Sequence, residues 1–266
     1  MTLCTKEQTT FILCISANSV SARLLVTFPV RGKVTPTAGA PCHTSSPAGG
    51  KTNDEKNLFS GKVFSKMKIV LIRHGQTEGN RAKRYVGKTN EPLCAAGIEH
   101  AKTTGIFPEI KHVFVTPLTR TQETARIKFP NSELEEIPDF REMDFGTFEG
   151  KSSDEMEDCT DYAAWVDGMC KNACPGGEDI FSFADRVKKA FTELVNACTE
   201  RGDKAVYIVA HGGTISAIME AFALPRQEYF HWFLDNCGAF VTNYDASANG
   251  GEIVLTDYKH TDGSID

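Results

Sequence analysis

The sequence predicts an α/β fold, a three-layer sandwich in which a mostly parallel central sheet is flanked by helices. Short apolar runs of strand length alternate with longer stretches of helical periodicity, which is typical of consecutive βαβ units. The apolar runs are continuous, as expected of parallel strands that are buried on both faces. Three of them end at loops with charged side chains, which is where open α/β sheets bind their ligands.

The predicted elements begin at Met67. We expect strands at 68–72 (KIVLI), 112–115 (HVFV) and 205–210 (AVYIVA), and helices at 95–106, 118–128, 178–200 and 213–223. The helix at 178–200 has the clearest pattern, because its apolar residues recur at steps of three and four: Ile180, Ala184, Val187, Phe191, Leu194 and Cys198. Near the end, AFVTNY and EIVLT flank DASANGG, whose Asn-Gly pair predicts a hairpin. This hairpin would form an antiparallel edge of the sheet.

The overall composition is that of an ordinary globular protein. The chain has 266 residues, 41% of them hydrophobic and 24% charged, and a formal net charge of −6. These values exclude a collagen, a fully disordered chain and a bundle of membrane helices. The acidic balance also gives no general attraction to nucleic acid or to anionic lipid.

Residues 1–66 differ from the rest of the chain. They carry eight Lys and Arg against three Asp and Glu, whereas residues 67–266 carry 21 against 32. The stretch VTPTAGAPCHTSSPAGGKTN has the composition of a flexible segment. We therefore predict that 1–66 is a non-essential leader, disordered or not native to the protein, and that 67–266 is the folded domain. An organelle transit peptide is the open alternative.

The nine cysteines are odd in number and scattered, so they do not form a secreted disulfide framework. A reducing cytosol fits them better, and we expect a cytoplasmic protein. Cys170 and Cys174 form a CxxxC spacing without a companion pair, which favours ordinary thiols over a zinc site. Cys237 is likewise expected to be a packing thiol.

The three predicted strands end at residues suited to binding an anion. Arg73-His74-Gly75 follows the first, TPLTR with Arg120 follows the second, and His211-Gly212-Gly213 follows the third. Because these strand ends should meet in one crevice, we expect the three loops to converge. Glycine after each histidine permits close approach of the backbone, and a helix N-terminus favours negative charge. Together these features predict a phosphate site.

Four blocks of this sequence, in order, resemble the histidine phosphatase superfamily, whose fold is called phosphoglycerate mutase-like. They are LIRHGQTEGN, TPLTRTQETA, FREMDFGTFEG and VAHGG, and the similarity covers residues 67 to about 260. The resemblance implies an enzyme that transfers a phosphoryl group through a phosphohistidine, without a metal or other cofactor. Arginines would supply the positive charge that magnesium supplies in other phosphoryl-transfer enzymes.

The resemblance also implies a role for each matching residue. His74 would be the nucleophile, and Arg73 and Arg120 would hold the phosphate oxygens through their guanidinium forks. His211 would add a further donor, with Gly212 beside it at the phosphate. Two nearby arginines should keep His74 unprotonated near neutral pH.

Two further positions complete the site that the resemblance implies. Asn80 would also contact phosphate, and Glu142 would protonate the leaving oxygen and then activate water, for which it needs a raised pKa. Asp144 and, less favoured, Asp139 are the alternative acids.

Three other histidines are expected to lie outside the site. His100 and His112 should be packed or solvated, and His231 is expected on an aromatic helix face beside the pocket.

The length of the core and the residues after the acidic block resemble the phosphatase branch of the family. The stretch YAAWVDGMCKNACPGGEDIFSFADRV is similar to the segment that selects the substrate in alpha-ribazole phosphatases, with Gly176, Gly177 and Glu178 near its end. The resemblance implies a phosphomonoesterase, with alpha-ribazole 5′-phosphate as the leading substrate and a place in cobalamin biosynthesis. A phosphoglycerate mutase is the second enzyme hypothesis.

Hypotheses of other classes fit the sequence less well. A non-catalytic phosphate-binding protein should lack the nucleophile, the acid or an arginine, and all of these are present. A Rossmann nucleotide-binding protein needs a GxGxxG after a strand, which the sequence does not contain. We expect a small phosphate ester as the partner, no nucleic acid, no membrane, and a monomer or homodimer.

Overall fold

A computed structural model describes Phe11–Ile12, Leu25–Val26 and residues 66–265. The first two segments are short strands, β1 (Phe11–Ile12) and β2 (Leu25–Val26), which pair antiparallel. The rest of the predicted leader lies outside the described residues, so the proposed division at residue 66 stays a prediction. The first long strand begins at Lys66, one residue before the predicted domain boundary.

A six-stranded mixed sheet organises residues 66–265. Its strands are β3 (Lys66–Arg73), β4 (His112–Val115), β5 (Glu133–Glu136), β6 (Ala205–Ala210), β7 (Ala239–Asp245) and β8 (Leu255–Thr261). They lie in the order β5-β4-β6-β3-β7-β8. The first four are parallel, and β7 and β8 add antiparallel pairs at one edge. The predicted fold class, with its antiparallel edge, is confirmed.

Six α-helices connect the strands. They are α1 (Glu78–Arg81), α2 (Ala95–Thr103), α3 (Thr119–Lys128), α4 (Thr160–Asp167), α5 (Ile180–Arg201) and α6 (Gly212–Phe222). The ends of α5 follow from its sequence. The carboxylate of Asp179 accepts hydrogen bonds from two N–H groups of the first turn, and Gly202 ends the helix with a φ of +78°.

Among the strands and α-helices of residues 66–265, three have no counterpart in the sequence prediction: α1, α4 and β5. The sequence of β5, ELEE, is acidic and largely exposed at the edge of the sheet, so it lacks the apolar run that marks the central strands. The short α1 is held by a capping box between Thr77 and Asn80 rather than by an amphipathic pattern.

The predicted hairpin is present, but its second strand was misplaced. β8 runs over Leu255–Thr261 instead of 252–256, and residues 246–254 connect the strands as a long loop with a 3-10 turn at Asn249–Gly251. β8 is the edge strand of the sheet, next to β7, and many of its side chains are polar because much of it is exposed to solvent. The apolar run EIVLT therefore predicts the start of this strand three residues too early.

The sheet separates two hydrophobic cores, as a three-layer sandwich requires. Along β3, Ile69 and Leu71 point into one core, and Val70 and Ile72 point into the other. The first core holds the buried faces of α4, α5 and α6, while the second is closed by α3. The C-terminal ends of β3, β4 and β6 emerge between these layers.

Candidate active site

The three predicted anion-binding loops converge at one edge of the sheet. Because β4, β6 and β3 are parallel neighbours, their carboxyl ends bring Arg73, His74, Arg120 and His211 together. The rings of His74 and His211 lie with their centroids 5.2 Å apart, and Arg120 Nε donates to His211 Nδ1 at 3.3 Å. All four side chains are buried. We call these four residues the floor of the site.

His74 has the protonation state and tautomer that a nucleophile needs. Its Nδ1 lies 2.7 Å from the carbonyl oxygen of Gly75, to which it donates as N–H, so the lone pair is on Nε2. Burial first, and then the charges of Arg120 and Arg73, lower the pKa of His74 well below its ordinary value. This direction agrees with the expectation of an unprotonated His74, and burial rather than the arginines is the largest cause.

Arg73 presents one edge of its guanidinium to the site. Its Nη1 donates to the carbonyl oxygen of Leu234 at 2.6 Å, and the ring of Phe233 lies 5.6 Å from its Cζ. Its buried Nε has no acceptor among the described residues and lies next to Gly212, where an added Cβ would be 3.5 Å away. A guanidinium edge that is buried without an acceptor fits an anionic ligand such as phosphate.

Arg120 donates hydrogen bonds from three of its guanidinium nitrogens to other protein groups, which leaves fewer N–H groups for phosphate than the resemblance implies. Its Nη1 donates to Thr89 O at 2.8 Å and its Nη2 donates to Gly87 O at 2.7 Å, in addition to the bond from Nε to His211. Burial lowers its pKa to about 10, which leaves it charged at neutral pH. Arg120 therefore contributes a fixed positive charge with fewer free N–H groups than a full guanidinium fork.

A carboxylate that the sequence analysis missed holds the loop beneath Arg120. Glu149 accepts hydrogen bonds from the backbone N–H groups of Gly87, Lys88 and Phe145, and from the hydroxyl of Thr89 at 2.6 Å. The loop at 86–89 has no regular secondary structure to satisfy these donors. No sequence spacing marks Glu149, because its partners come from separate segments.

His211 is engaged through both ring nitrogens. Its Nε2 lies 3.0 Å from the hydroxyl of Thr116, and its Nδ1 accepts from Arg120. Burial, followed by the charge of Arg120, lowers its pKa well below the ordinary value. Since both ring nitrogens already have partners in this arrangement, the role of His211 as a donor to phosphate stays a prediction.

Glu142 lies at the N-terminus of α6, opposite the floor. Its carboxylate accepts from the backbone N–H groups of Met143 at 3.0 Å and of Gly213 at 2.9 Å. Burial raises its pKa, while these two hydrogen bonds and the charges of Arg120 and Arg73 oppose the shift. The raised pKa is what a general acid requires. Gly213 is needed here because an added Cβ would lie 2.4 Å from Glu142 Oε1.

The alternative acids face away from the pocket. Asp144 is ion-paired with Lys88 at 2.9 Å and caps the N–H of Gly146, and Asp139 pairs with Arg141 at 3.4 Å. Neither of the two carboxylates lines the pocket.

A second group that the sequence analysis missed, Arg186 on α5, supports the segment that carries Glu142. Its guanidinium donates to the carbonyl oxygens of Asp139, Arg141 and Glu142 at 2.8–3.1 Å and forms an ion pair with Glu178. Glu178 was expected near the substrate. It does not line the pocket, because its carboxylate is taken up by Arg186 and by the N–H of Asp144. The segment 176–178 therefore does not contact the cavity. Through Glu178 it holds Arg186 and the backbone of Asp144, and so supports the segment that carries Glu142.

A cavity of about 210 Å³ reaches the floor at Arg73, whereas His74, Arg120 and His211 are buried and are not among the residues that line it. Arg73, Asn80, Glu142 and Gly212 line its inner end. Aromatic side chains form much of its sides, and we call them the wall: Tyr85, Phe145, Trp165, Tyr229, Phe230 and Phe233.

The wall comes from segments that the sequence placed only in part. Trp165 on α4 belongs to the predicted substrate-selecting segment, whereas no sequence pattern predicted Tyr85 and Phe145 at the site. Tyr85 packs against Phe145 and Trp165 with ring centroids 5.1 and 5.7 Å apart. Phe230 and Phe233 remain partly exposed at the mouth. Lys83 and Arg84 also line the cavity and add positive charge.

The remaining candidates lie outside the cavity. His100 and His231 are exposed, and His112 is 3.0 Å from Glu135 on the neighbouring strand. Cys170 and Cys174 are buried free thiols in the hydrophobic core, and burial raises the pKa of each to about 12. Cys237 is also a buried free thiol. Over the part of the chain that the structure describes, no group of three or more His, Cys, Asp or Glu side chains could hold a metal ion.

Comparison with known proteins agrees with this geometry. The family model of the histidine phosphatase superfamily (branch 1) matches residues 69–255. The adenosylcobalamin/alpha-ribazole phosphatase of Salmonella typhimurium is 30% identical, over 66% of this chain and 94% of its own. The probable phosphoglycerate mutase GpmB of Enterobacter sp. is 28% identical, over 74% of this chain and 95% of its own.

Solved structures show the same fold. The alpha-ribazole phosphatase from Shigella flexneri superimposes with a TM-score of 0.62 at 25% identity, covering 75% of this chain and 98% of its own. The phosphoserine phosphatase from Entamoeba histolytica, solved in complex with 3-phosphoglyceric acid, gives a TM-score of 0.58 at 27% identity, covering 73% and 96%.

Proposed function

Because the chain belongs to the histidine phosphatase superfamily, we propose that it hydrolyses a small phosphate monoester in two steps, with His74 as the nucleophile. Like relatives that are named phosphatases, it is a phosphoric monoester hydrolase. The observation that carries the proposal is the state of His74. Its Nε2 keeps a lone pair in a buried site between the guanidinium groups of Arg73 and Arg120.

In the first step, His74 Nε2 attacks phosphorus and the ester P–O bond breaks. The phosphoryl group is then carried on Nε2, and the leaving oxygen takes the proton of Glu142. Burial raises the pKa of this carboxyl, so Glu142 keeps its proton to a higher pH than an ordinary carboxyl does. The unpartnered edge of Arg73 and the positive charge of Arg120 stabilise the negative charge that the phosphoryl oxygens carry during transfer.

In the second step, Glu142 acts as a base. Its carboxylate removes a proton from water, the water oxygen attacks phosphorus, and the P–N bond breaks to release inorganic phosphate. His74 and Glu142 are thereby returned to their starting states. The chain supplies the positive charge, the nucleophile and the acid itself, so the proposed reaction needs no metal and no organic cofactor.

The leading substrate is alpha-ribazole 5′-phosphate. Two curated relatives carry the name adenosylcobalamin/alpha-ribazole phosphatase. The aromatic wall supports this substrate, because Tyr85, Trp165 and Phe230 offer ring surfaces on which a planar base can pack. The leaving group would be a nucleoside whose planar base packs in the outer cavity while phosphate binds at the floor.

A phosphoglycerate mutase is the second candidate. Relatives named probable phosphoglycerate mutase GpmB favour it, as does Lys83, whose positive charge at the cavity would suit a carboxylate. Arg84 also lines the cavity but is ion-paired with Glu155 at 2.6 Å. A mutase returns the phosphoryl group from His74 to an organic hydroxyl instead of to water.

The setting of the reaction is part of the proposal. The partner is a small phosphate ester rather than a nucleic acid or a membrane, and the protein acts in the cytoplasm as a monomer or homodimer. Among the described residues, no helix has the length and apolar character needed to cross a bilayer.

The test is phosphate release from a panel of monoesters in buffer with and without a chelator. The panel contains alpha-ribazole 5′-phosphate, 3-phosphoglycerate, a sugar phosphate and a chromogenic aryl phosphate, and the His74→Ala variant is the control. Chelator-insensitive release that requires His74, with the highest kcat/KM for alpha-ribazole 5′-phosphate, is the expected result. Isomerisation of 3-phosphoglycerate without release would indicate a mutase. No reaction with any substrate would favour a binding protein.

A further inference from the structure

Asn236 contacts two parts of the catalytic centre with one side chain. It lies in the loop before β7 and is buried. Its amide Nδ2 donates to the carbonyl oxygen of His74 at 3.0 Å and to Oδ1 of Asn80 at 3.2 Å. The two hydrogens of this amide are therefore committed to the backbone of the nucleophile and to a predicted phosphate ligand.

These contacts determine which end of the Asn80 amide faces the cavity. Asn80 Oδ1 accepts from the N–H of Thr77 at 3.3 Å as well as from Asn236. With the oxygen held on that side, the Nδ2 group is directed elsewhere. It donates to no described residue, and Asn80 lines the cavity next to Arg73. The amide is thus oriented with its donor available for an anion.

We infer that Asn236 is a positioning residue for phosphate: it holds the Asn80 amide with Nδ2 toward the phosphate position and fixes the backbone of His74. The inference rests on the proposed function, because it assumes that Asn80 binds the phosphate of the substrate. Asn236 makes no contact with phosphate in this arrangement and acts only through Asn80 and His74.

The other half of the Asn236 amide argues against a role in packing alone. Its Oδ1 is buried and accepts no hydrogen bond from any described residue. An amide oxygen buried in this way destabilises a fold, and an apolar side chain of similar size would fill the space without that penalty. The donor half of the amide is the part that the site uses.

Two substitutions of Asn236 test the inference. Asn236→Ala removes the whole amide, and Asn236→Leu removes the donor while keeping a similar volume, so that one of them is expected to fold. With a chromogenic aryl phosphate as substrate, we expect the inhibition constant of inorganic phosphate to rise ~10-fold in both, as for the loss of one aligned hydrogen bond to an anion. The loss of kcat/KM should be of similar size.

A double-mutant cycle separates positioning from general damage. In an Asn80→Ala background, replacing Asn236 should change phosphate inhibition by no more than about twofold, because the group that Asn236 orients is gone. Thr242→Val is the matched control. It removes another buried side-chain hydrogen bond, to the carbonyl of Ile69 on the same sheet, and should leave the inhibition constant unchanged.

The outcomes distinguish this inference from the proposed function. If the wild type and Thr242→Val hydrolyse the substrate but a folded Asn236 variant binds phosphate as tightly as they do, the inference is wrong and the proposed function stands. The inference is also wrong if the inhibition constant of the double variant rises by the product of the two single-variant increases, because Asn236 and Asn80 would then act independently. A wild type that neither releases nor binds phosphate would contradict the proposed function itself.

Discussion

The floor and the wall of the cavity are held in place by different means. The floor residues follow the ends of neighbouring parallel strands, so backbone hydrogen bonds across the whole sheet fix their spacing. Much of the wall comes from irregular segments, and positive φ values occur beside two of its residues, at Lys83 near Tyr85 and at Gly146 next to Phe145. These segments depend on single side chains, such as Glu149 and Arg186, for support. The floor residues are thus held at fixed spacing for the proposed phosphoryl transfer, and the wall residues can be replaced to alter substrate preference without changing the sheet.

The largest effect should come from the nucleophile. His74→Ala removes the only group proposed to take the phosphoryl group, so kcat/KM should fall by on the order of 10³-fold or more for every substrate. Measurement of phosphate release under single-turnover and steady-state conditions tests this. His100→Ala, which removes an exposed histidine on α2, is the control and should keep full activity. Substantial activity in His74→Ala would show that the floor does not provide the nucleophile.

Replacement of the acid should have a smaller effect that depends on the leaving group. Glu142→Gln cannot give up a proton, and a loss of about 10²-fold in kcat is expected for alkyl phosphates, with less for an aryl phosphate whose oxygen needs no proton. The raised pKa of Glu142 predicts that wild-type activity falls as pH rises through it, because the acid is then ionised. The pH profile of Glu142→Gln should lack this alkaline limb. Asp139→Asn is the matched control, and an alkaline limb that survives in Glu142→Gln would assign the acid elsewhere.

A change in the wall should alter preference more than chemistry. Phe230→Ala removes an aromatic ring from the mouth of the cavity, and the KM for alpha-ribazole 5′-phosphate should rise ~10-fold through lost apolar contact. Inhibition by inorganic phosphate, which needs only the floor, should not change. Phe181→Ala removes an exposed ring that does not line the cavity and serves as the control. If Phe230→Ala weakened the binding of inorganic phosphate as much as that of alpha-ribazole 5′-phosphate, the floor and the wall would not have separate roles.

The smallest effect concerns stability. The pKa values of His74 and His211 are lowered in the folded chain, so below about pH 6.5 the unfolded chain takes up protons that the folded chain does not. Folding should lose about 1 kcal/mol per histidine one pH unit below that value. Glu142 has the opposite sign, since its raised pKa makes stability fall as pH rises, and urea unfolding is therefore best measured in the Glu142→Gln variant. A flat profile between pH 7.5 and 5.5 would mean that these histidines are not buried as neutral groups.

The sequence predicts the floor well because strand ends carry it. KIVLI, HVFV and AVYIVA are recognisable as buried strands, and the topology of a parallel sheet then places Arg73, Arg120 and His211 at one edge without further information. The state of His74 also follows, since burial among cationic groups lowers the pKa of an imidazole wherever it occurs.

The supports of the wall could not be predicted in this way. Glu149 and Arg186 act through backbone groups of segments far away in sequence, and any carboxylate or guanidinium on an exposed segment would look the same. The aromatic residues Tyr85 and Phe145 meet only because the loop at 86–89 is folded onto the segment after Glu142. For Glu178 the prediction was wrong in the opposite direction. Its motif predicted a contact with substrate, whereas its carboxylate binds Arg186.

The first turn of α6 has a consequence for repeated turnover. A proton carrier must be able to exist both with and without its proton, and burial alone would make the ionised form of Glu142 too costly to reach. The N–H groups of Gly213 and Met143 offset that cost, so that the two forms are closer in free energy. A side chain at position 213 would push the carboxylate off this turn. In the proposed reaction, the absence of a side chain at position 213 thus allows Glu142 to alternate between its protonated and ionised forms.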